Sequence, residues 1–241
     1  TISNGVLHYE LPTGKYPPGL YNVTFNVKQN NYYNEKTINS QLEIIKRNAT
    51  INITTNNPKT VQTMYIRGKL VDDDGVPINN GKAVIKVDGR IVRTLTVRDG
   101  EVQYSYRLGS NIYAGEHNIS IEYINDYYNT KVENSTFNVI RSNLTDIIIP
   151  LREVKTGGTT GIDVVLRDEL YQQLLGASEV EIFVDGVSVQ NLTVKNGLLS
   201  TTIPIGKEEI GEADIVVKVK ENGLYNEKIL HAKATIDVRR T

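Results

Sequence analysis

The sequence predicts an all-β protein made of tandem β-sandwich repeats of about 96 residues. Three observations predict it. Runs rich in Val, Ile, Thr and Tyr alternate apolar and polar residues, the period that gives a strand one face for a core and one for water. Tight-turn dipeptides interrupt these runs at short intervals. The chain also matches itself: Gly5, Gly100 and Gly197 align, as do Gly19, Gly115 and Gly211, and Tyr33, Tyr128 and Tyr225, at spacings of 95 to 97.

In chain order, residues 1–48 read as the C-terminal half of a repeat, carrying its last three strands. Residues 49–143 and 144–241 read as complete repeats. After Gly19, Tyr21, Val23, Phe25 and Val27 should face a core, with Asn22, Thr24 and Asn26 outward. After Gly115 the inward set is His117, Ile119, Ile121 and Tyr123. After Gly211 it is Ala213, Ile215, Val217 and Val219. Within the complete repeats, Ile66, Gly68 and Leu70 pair by alignment with Ile162, Val164 and Leu166, and Ala83, Ile85 and Val87 with Val180, Ile182 and Val184. The turns Asp88-Gly89 and Asp185-Gly186 follow, and then Asp99-Gly100 and Asn196-Gly197, with glycine supplying a positive φ. About seven short strands in some 95 residues make each repeat immunoglobulin-like. Tyr21 fits the tyrosine corner of that fold, whereas His117 and Ala213 break it.

Composition excludes several functions. There is no Cys, which removes disulfides, thiolate nucleophiles and Cys-based metal sites. With 27 basic and 28 acidic residues, nothing suggests an electrostatic grip on nucleic acid or an anionic membrane. No run of about 18 apolar residues exists to span a bilayer. The opening Thr reads as a mature or excised chain. His8, His117 and His231 have no metal spacing, and no nucleophile elbow, zinc-protease or phosphate-loop motif occurs, so the chain is not expected to be an enzyme.

The remaining candidates are few. Asp72, Asp73 and Asp74 could offer clustered carboxylates to Ca²⁺, against the plainer reading of a solvated turn before Gly75. Seven sequons, at Asn22, Asn48, Asn52, Asn118, Asn134, Asn143 and Asn191, could carry N-linked glycans. No other cofactor is expected. Tyr32-Tyr33 and Tyr127-Tyr128 could form a sugar-stacking platform, or pack across a joint between repeats. Leu11-Pro12-Thr13-Gly14 reads as a loop, and no motif marks an intramolecular isopeptide bond.

Together, Asp72-Asp73-Asp74-Gly75-Val76-Pro77, the Val-Asp-Gly turn at 87–89, Gly19 to Thr24 and the Tyr-Tyr-Asn triplets at 32–34 and 127–129 carry a resemblance. The chain resembles the Ig-like repeats of adhesin-like proteins on methanogenic archaea and is similar to bacterial invasin-type repeats. The second complete repeat departs, with Arg167-Asp168-Glu169-Leu170 in place of the Asp-rich turn and Pro lost. The resemblance implies an extracellular, cell-surface stalk or fibre serving adhesion. Its partners would be neighbouring repeats, identical subunits, or a cell-surface or glycan ligand. The alternatives are a carbohydrate-binding or virus tail-fibre module, or a filament subunit. In that last case the exposed apolar face of residues 1–48 would receive strands from a neighbour.

Overall fold

A computed structural model describes residues 2–3, 5–151, 154–206 and 211–237. Residues 207–210 and 238–241 of the second complete repeat therefore lie outside the described residues. The strands are β1 (Ile2–Ser3), β2 (Val6–Leu7), β3 (Gly19–Val27), β4 (Lys36–Ile44), β5 (Ala49–Thr55), β6 (Thr63–Asp72), β7 (Lys82–Val87), β8 (Arg90–Thr96) and β9 (Glu101–Arg107). They continue as β10 (Gly115–Ile124), β11 (Lys131–Val139), β12 (Val154–Lys155), β13 (Thr159–Val165), β14 (Ala177–Val184), β15 (Val187–Lys195), β16 (Leu198–Pro204), β17 (Gly211–Val219) and β18 (Lys228–Asp237). One short 3₁₀ turn, Thr13–Lys15, interrupts them, in the loop expected around Leu11-Pro12-Thr13-Gly14.

The chain divides into two compact units. One holds Thr1–Thr54, Ile66–Tyr104 and Asn118–Ser135; the other holds Thr55–Tyr65, Ser105–His117 and Thr136–Thr241. Sheet orders are β1-β2, β3-β4, β5-β6-β9, β11-β10-β7-β8 and β12-β18-β17-β14-β15-β16-β13.

In the first unit, β7 pairs antiparallel with β8 on one side and β10 on the other, Ile121 lying opposite Ile85. Inward residues are buried as the alternation requires: Ile119, Ile121 and Tyr123 are at most 1% exposed. Gly68 on β6 has no room for a side chain, since a Cβ there would sit 2.8 Å from both Ile121 on the opposite sheet and Val102 on the same sheet. That explains a glycine amid inward Ile66 and Leu70: a side chain would overpack the core.

In the second unit the seven-stranded sheet turns over at one pair, Lys195 opposite Leu198, so that β13 and β16 come to lie over β14 and β17. Its core joins Ile162, Leu199 and Ile203 from one layer to Val180, Ile182, Ile215 and Val217 from the other. Each such side chain contributes roughly 1.5–3 kcal/mol by leaving water. The parallel pairing of β12 with β18 was not foreseen from the sequence.

The four turns behave as expected. Asp88, Asp99, Asp185 and Asn196 adopt φ of 46–49°, and the glycines after them φ of 69–80°. Both hairpins that follow Ala83 and Val180 carry a bulge, between Ile85 and Lys86 and between Ile182 and Phe183.

Residues before Ala49 differ in burial. Tyr21, Val23, Phe25 and Val27 face one way and are only half-buried, and no described residue from 5 to 48 is buried. Before β3, the chain forms only the two-residue strands β1 and β2, which pair with each other, among the described residues.

Candidate functional site

The side chains with functional potential gather at two hydrogen-bonded junctions of the same design, one in each unit. In the first unit, Arg47 forms a parallel bridge with Tyr128: its amide donates to Tyr127 O at 3.0 Å and the Asn129 amide donates to Arg47 O at 2.8 Å. Asn129 Nδ2 then donates to Asn48 Oδ1 at 2.9 Å. In the second unit, Ser142 bridges Tyr225 in parallel, the Ser142 amide donating to Leu224 O and the Asn226 amide to Ser142 O, each at 3.0 Å. Asn226 Nδ2 donates to Asn143 Oδ1 at 2.7 Å. The turns that present Tyr127 and Leu224 are both held by an asparagine two residues earlier, Asn125 or Asn222, whose Oδ1 accepts the amide at 2.8 Å.

The acidic turn belongs to the first junction. Asp72 is 8% exposed; its Oδ1 accepts the amides of Asp74 and Val76, and its Oδ2 lies 2.9 Å from Arg47 Nη1. Arg47 Nη2 is paired with Asp74, and Asp73 Oδ2 accepts the Asn48 amide at 3.0 Å. Its hydrogen bond to Asp74 and the charges of Asp72 and Asp74 hold the Arg47 guanidinium above its ordinary value. The three carboxylates thus meet a guanidinium and the backbone. Among the described residues no group of three or more His, Asp or Glu is placed to hold a metal. His8 lies near Glu10, His117 stacks on Phe137, and His231 is exposed on β18, so the three histidines do not converge.

Two sequence expectations need correction here. Arg167-Asp168-Glu169-Leu170 does not abandon the acidic turn. Asp168, 1% exposed, accepts the amides of Leu170 and Gln172 just as Asp72 does at its own turn, and Tyr171 takes the place of Gly75 at φ 59°. One buried acceptor aimed at two amides suffices to hold the turn. Nor does His117 break the corner. Tyr21 Oη donates to Pro17 O at 2.7 Å, and His117 Nε2 donates to Tyr113 O at 2.8 Å, each reaching back four residues. Any donor of that reach serves, whatever its ring.

The second junction is closed by a buried hydroxyl pair. Thr60 and Ser142 are both 0% exposed. The Thr60 hydroxyl donates to Leu224 O and accepts the Ser142 amide at 3.0 Å; the Ser142 hydroxyl donates back to Thr60 O at 2.8 Å. Lys59 Nζ and Gln62 Nε2 both reach Glu169, at 2.7 and 3.1 Å, and Arg141 reaches Glu221 at 3.1 Å. Sequence reasoning missed this network because its members lie 82 and 164 residues apart.

The Tyr pairs separate. Tyr32 and Tyr33 are exposed, Tyr128 packs edge-on against Tyr123, and Tyr127 lines an open cleft at the first junction. All seven sequon asparagines are exposed.

No known protein family matches this sequence, and no curated protein does. In fold the chain is similar to invasin, a bacterial integrin-binding protein, with a TM-score of 0.51 and 12% identity over 81% of this chain and 40% of invasin. It is also matched by the adhesin InvE of Yersinia pseudotuberculosis (TM-score 0.43, 12% identity, 78% of this chain, 60% of InvE). A two-domain fibronectin type III segment of chicken tenascin gives a TM-score of 0.45 at 10% identity, over 78% of this chain and 98% of the segment. The chain spans less than two thirds of invasin and of InvE. The likeness to invasin is one of fold: an all-β protein of Ig-like sandwich type.

Proposed function

We propose that the chain is part of an extracellular, cell-surface protein whose Ig-like modules, 1–48, 49–143 and 144–241, join end to end into an adhesive stalk or fibre. The observation that carries this reading is the duplicated junction. The pairs Asn48–Asn129 and Asn143–Asn226, with the same flanking backbone bonds, are what a modular array needs if each module is to dock on the next in one way. The invasin-like fold supports it. So do the Asp-rich turn and Tyr-Tyr-Asn signatures of the methanogen adhesin-like type. The seven exposed sequons would carry N-linked glycans on such a surface. Small-angle scattering tests the array. An elongated distance distribution that survives a rise in salt is expected, and a broad, compact distribution would refute it. Antibody labelling of intact source cells tests the location; labelling only after lysis would refute it.

A second reading rests on β3. Its relatives by position, β10 and β17, pair on both sides, with β7 and β11 or with β14 and β18, whereas β3 pairs only with β4 among the described residues. Leu7, Tyr9, Val23, Phe25 and Leu42 line an open groove beside it. A strand added antiparallel to β3 would complete this half-sandwich and make the chain a filament subunit. Light scattering distinguishes the two: a mass that climbs with concentration favours strand addition, and a constant monomer mass opposes it.

A further inference from the structure

We propose that the open cleft at the first junction binds a neutral pyranose sugar. The cleft measures about 430 Å³ and is lined by Tyr16, Tyr127, Arg47, Asn79, Asn80 and Asn125, among others. This lies within the roughly 300–1,000 Å³ of small-molecule sites. The Tyr16 and Tyr127 side chains are 41% and 46% exposed, and neither hydroxyl has a hydrogen bond to another described residue. Their rings offer apolar faces and their hydroxyls polar tips. Asn79 Oδ1 is taken by the Asp99 amide, which leaves its Nδ2 hydrogens to donate outward. The Arg47 charge is matched by Asp72 and Asp74, so the cleft offers directed hydrogen bonds rather than an attraction for anions. Aromatic faces flanked by amides suit a ligand with C–H-rich faces and a rim of hydroxyls.

The second junction shows that Tyr16, Tyr127, Arg47 and Asn79 are not needed to build such a joint. Tyr16 and Ile112 each follow a turn in which their amide donates back three residues, to Thr13 O and Gly109 O. Ile112 is only 5% exposed. Tyr127 corresponds to Leu224, 4% exposed, after the same asparagine turn. Arg47 corresponds to Ser142 at the parallel bridge. Asn79 and Leu175 each follow a residue, Ile78 or Leu174, whose amide donates to the preceding strand at 3.2 Å. At the second junction the Ala114 amide also donates to Gly223 O at 2.8 Å. The residue in Ala114's place is Pro18, one before Gly19 as Ala114 is one before Gly115, and proline has no N–H to give. The second junction also has a cleft of about 430 Å³, but its lining is Ser110, Tyr113, Gly176, Asn222 and Leu224, with the Ala114–Gly223 backbone bond beside it. The first lacks that backbone bond at Pro18 and is lined instead by Tyr16, Tyr127, Asn79 and Asn80. The cleft stands whether or not the modules form a stalk.

Saturation-transfer NMR on the 241-residue chain tests it, with the methyl β-pyranosides of glucose, galactose and mannose as probes. Transfer to ring protons of at least one probe is expected. It should fall at least fivefold in the double variant Tyr16→Ile and Tyr127→Leu, which places the second junction's residues at these two positions, with thermal melting confirming the fold. If that variant does not melt cooperatively, Asn79→Leu is read in its place, with the same loss expected. No transfer from any probe to the wild-type chain would overturn the proposal, and so would transfer unchanged in the folded variant.

Discussion

Replacing Thr60 by Val tests whether the buried hydroxyl pair holds the second junction. Val has nearly the shape of Thr, so no cavity opens. Two hydrogen bonds disappear: the donation to Leu224 O and the acceptance from the Ser142 amide. The Ser142 amide still donates to Leu224 O at 3.0 Å, so neither backbone group is orphaned. The loss is therefore two net hydrogen bonds at roughly 0.5–1.5 kcal/mol each, or about 2 kcal/mol. In a chain of this size that lowers Tm by about 4–8 °C. Calorimetry should show the shift, with Thr202→Val on the exposed side of β16 moving the transition by no more than about 0.5 kcal/mol. A Thr60→Val shift no larger than that of Thr202→Val would refute the reasoning.

Three further outcomes follow from named geometry. Tyr123 is fully buried, and burial pushes its phenol up to about 12. The unfolded chain releases that proton near its ordinary value of about 10, so the native state holds more protons between about pH 10 and 12. Stability should fall as pH rises through that window, by about 1.4 kcal/mol per pH unit, and urea titrations of Tyr123→Phe should show a shallower fall; an identical slope would count against it. Gly197→Ala should cost more than about 2 kcal/mol, because φ is +69° and a Cβ would meet Leu166 O at 2.6 Å. Gly186→Ala, at φ +80° with nothing within 4 Å, should cost only about 1 kcal/mol, and equal melting losses would contradict the clash. Tyr171→Gly should stabilise the chain slightly, by up to about 1 kcal/mol, since a bulky exposed residue stands at φ 59° where the other acidic turn has glycine; a lowered Tm would show that its ring contributes packing.

What the sequence disclosed was whatever depends on residues close together in the chain. The inward run Ile119, Ile121, Tyr123 and the turns at Asp99-Gly100 and Asn196-Gly197 follow from period-two alternation and from positive-φ chemistry, both local. The junctions are not local. Thr60 looks like any strand threonine until Ser142 and Leu224 are brought to it, and the two-residue pairing of β12 with β18 leaves no pattern to read. The tyrosine pairs were visible as aromatics, but the separation of Tyr127 into a cleft and Tyr128 into a core contact is set by the turn at Asn125.

The corrections at His117 and Asp168 share one physical cause. In both places residue identity looked like the conserved quantity of the design, yet what the fold needs is a polar atom at a given point. A donor must reach the carbonyl four residues back, which Tyr21 Oη and His117 Nε2 both do. A buried acceptor must face two amides, which Asp72 and Asp168 both do, one with an arginine beside it and one without an ion pair among the described residues. Arg47 is therefore not required to hold an acidic turn of this kind, and neither Tyr16 nor Tyr127 is required to build a junction. Residues that differ between two junctions with the same backbone bonds are the ones free to serve something other than the fold. Both junctions border a cleft, and at the first those residues line it with tyrosine and asparagine.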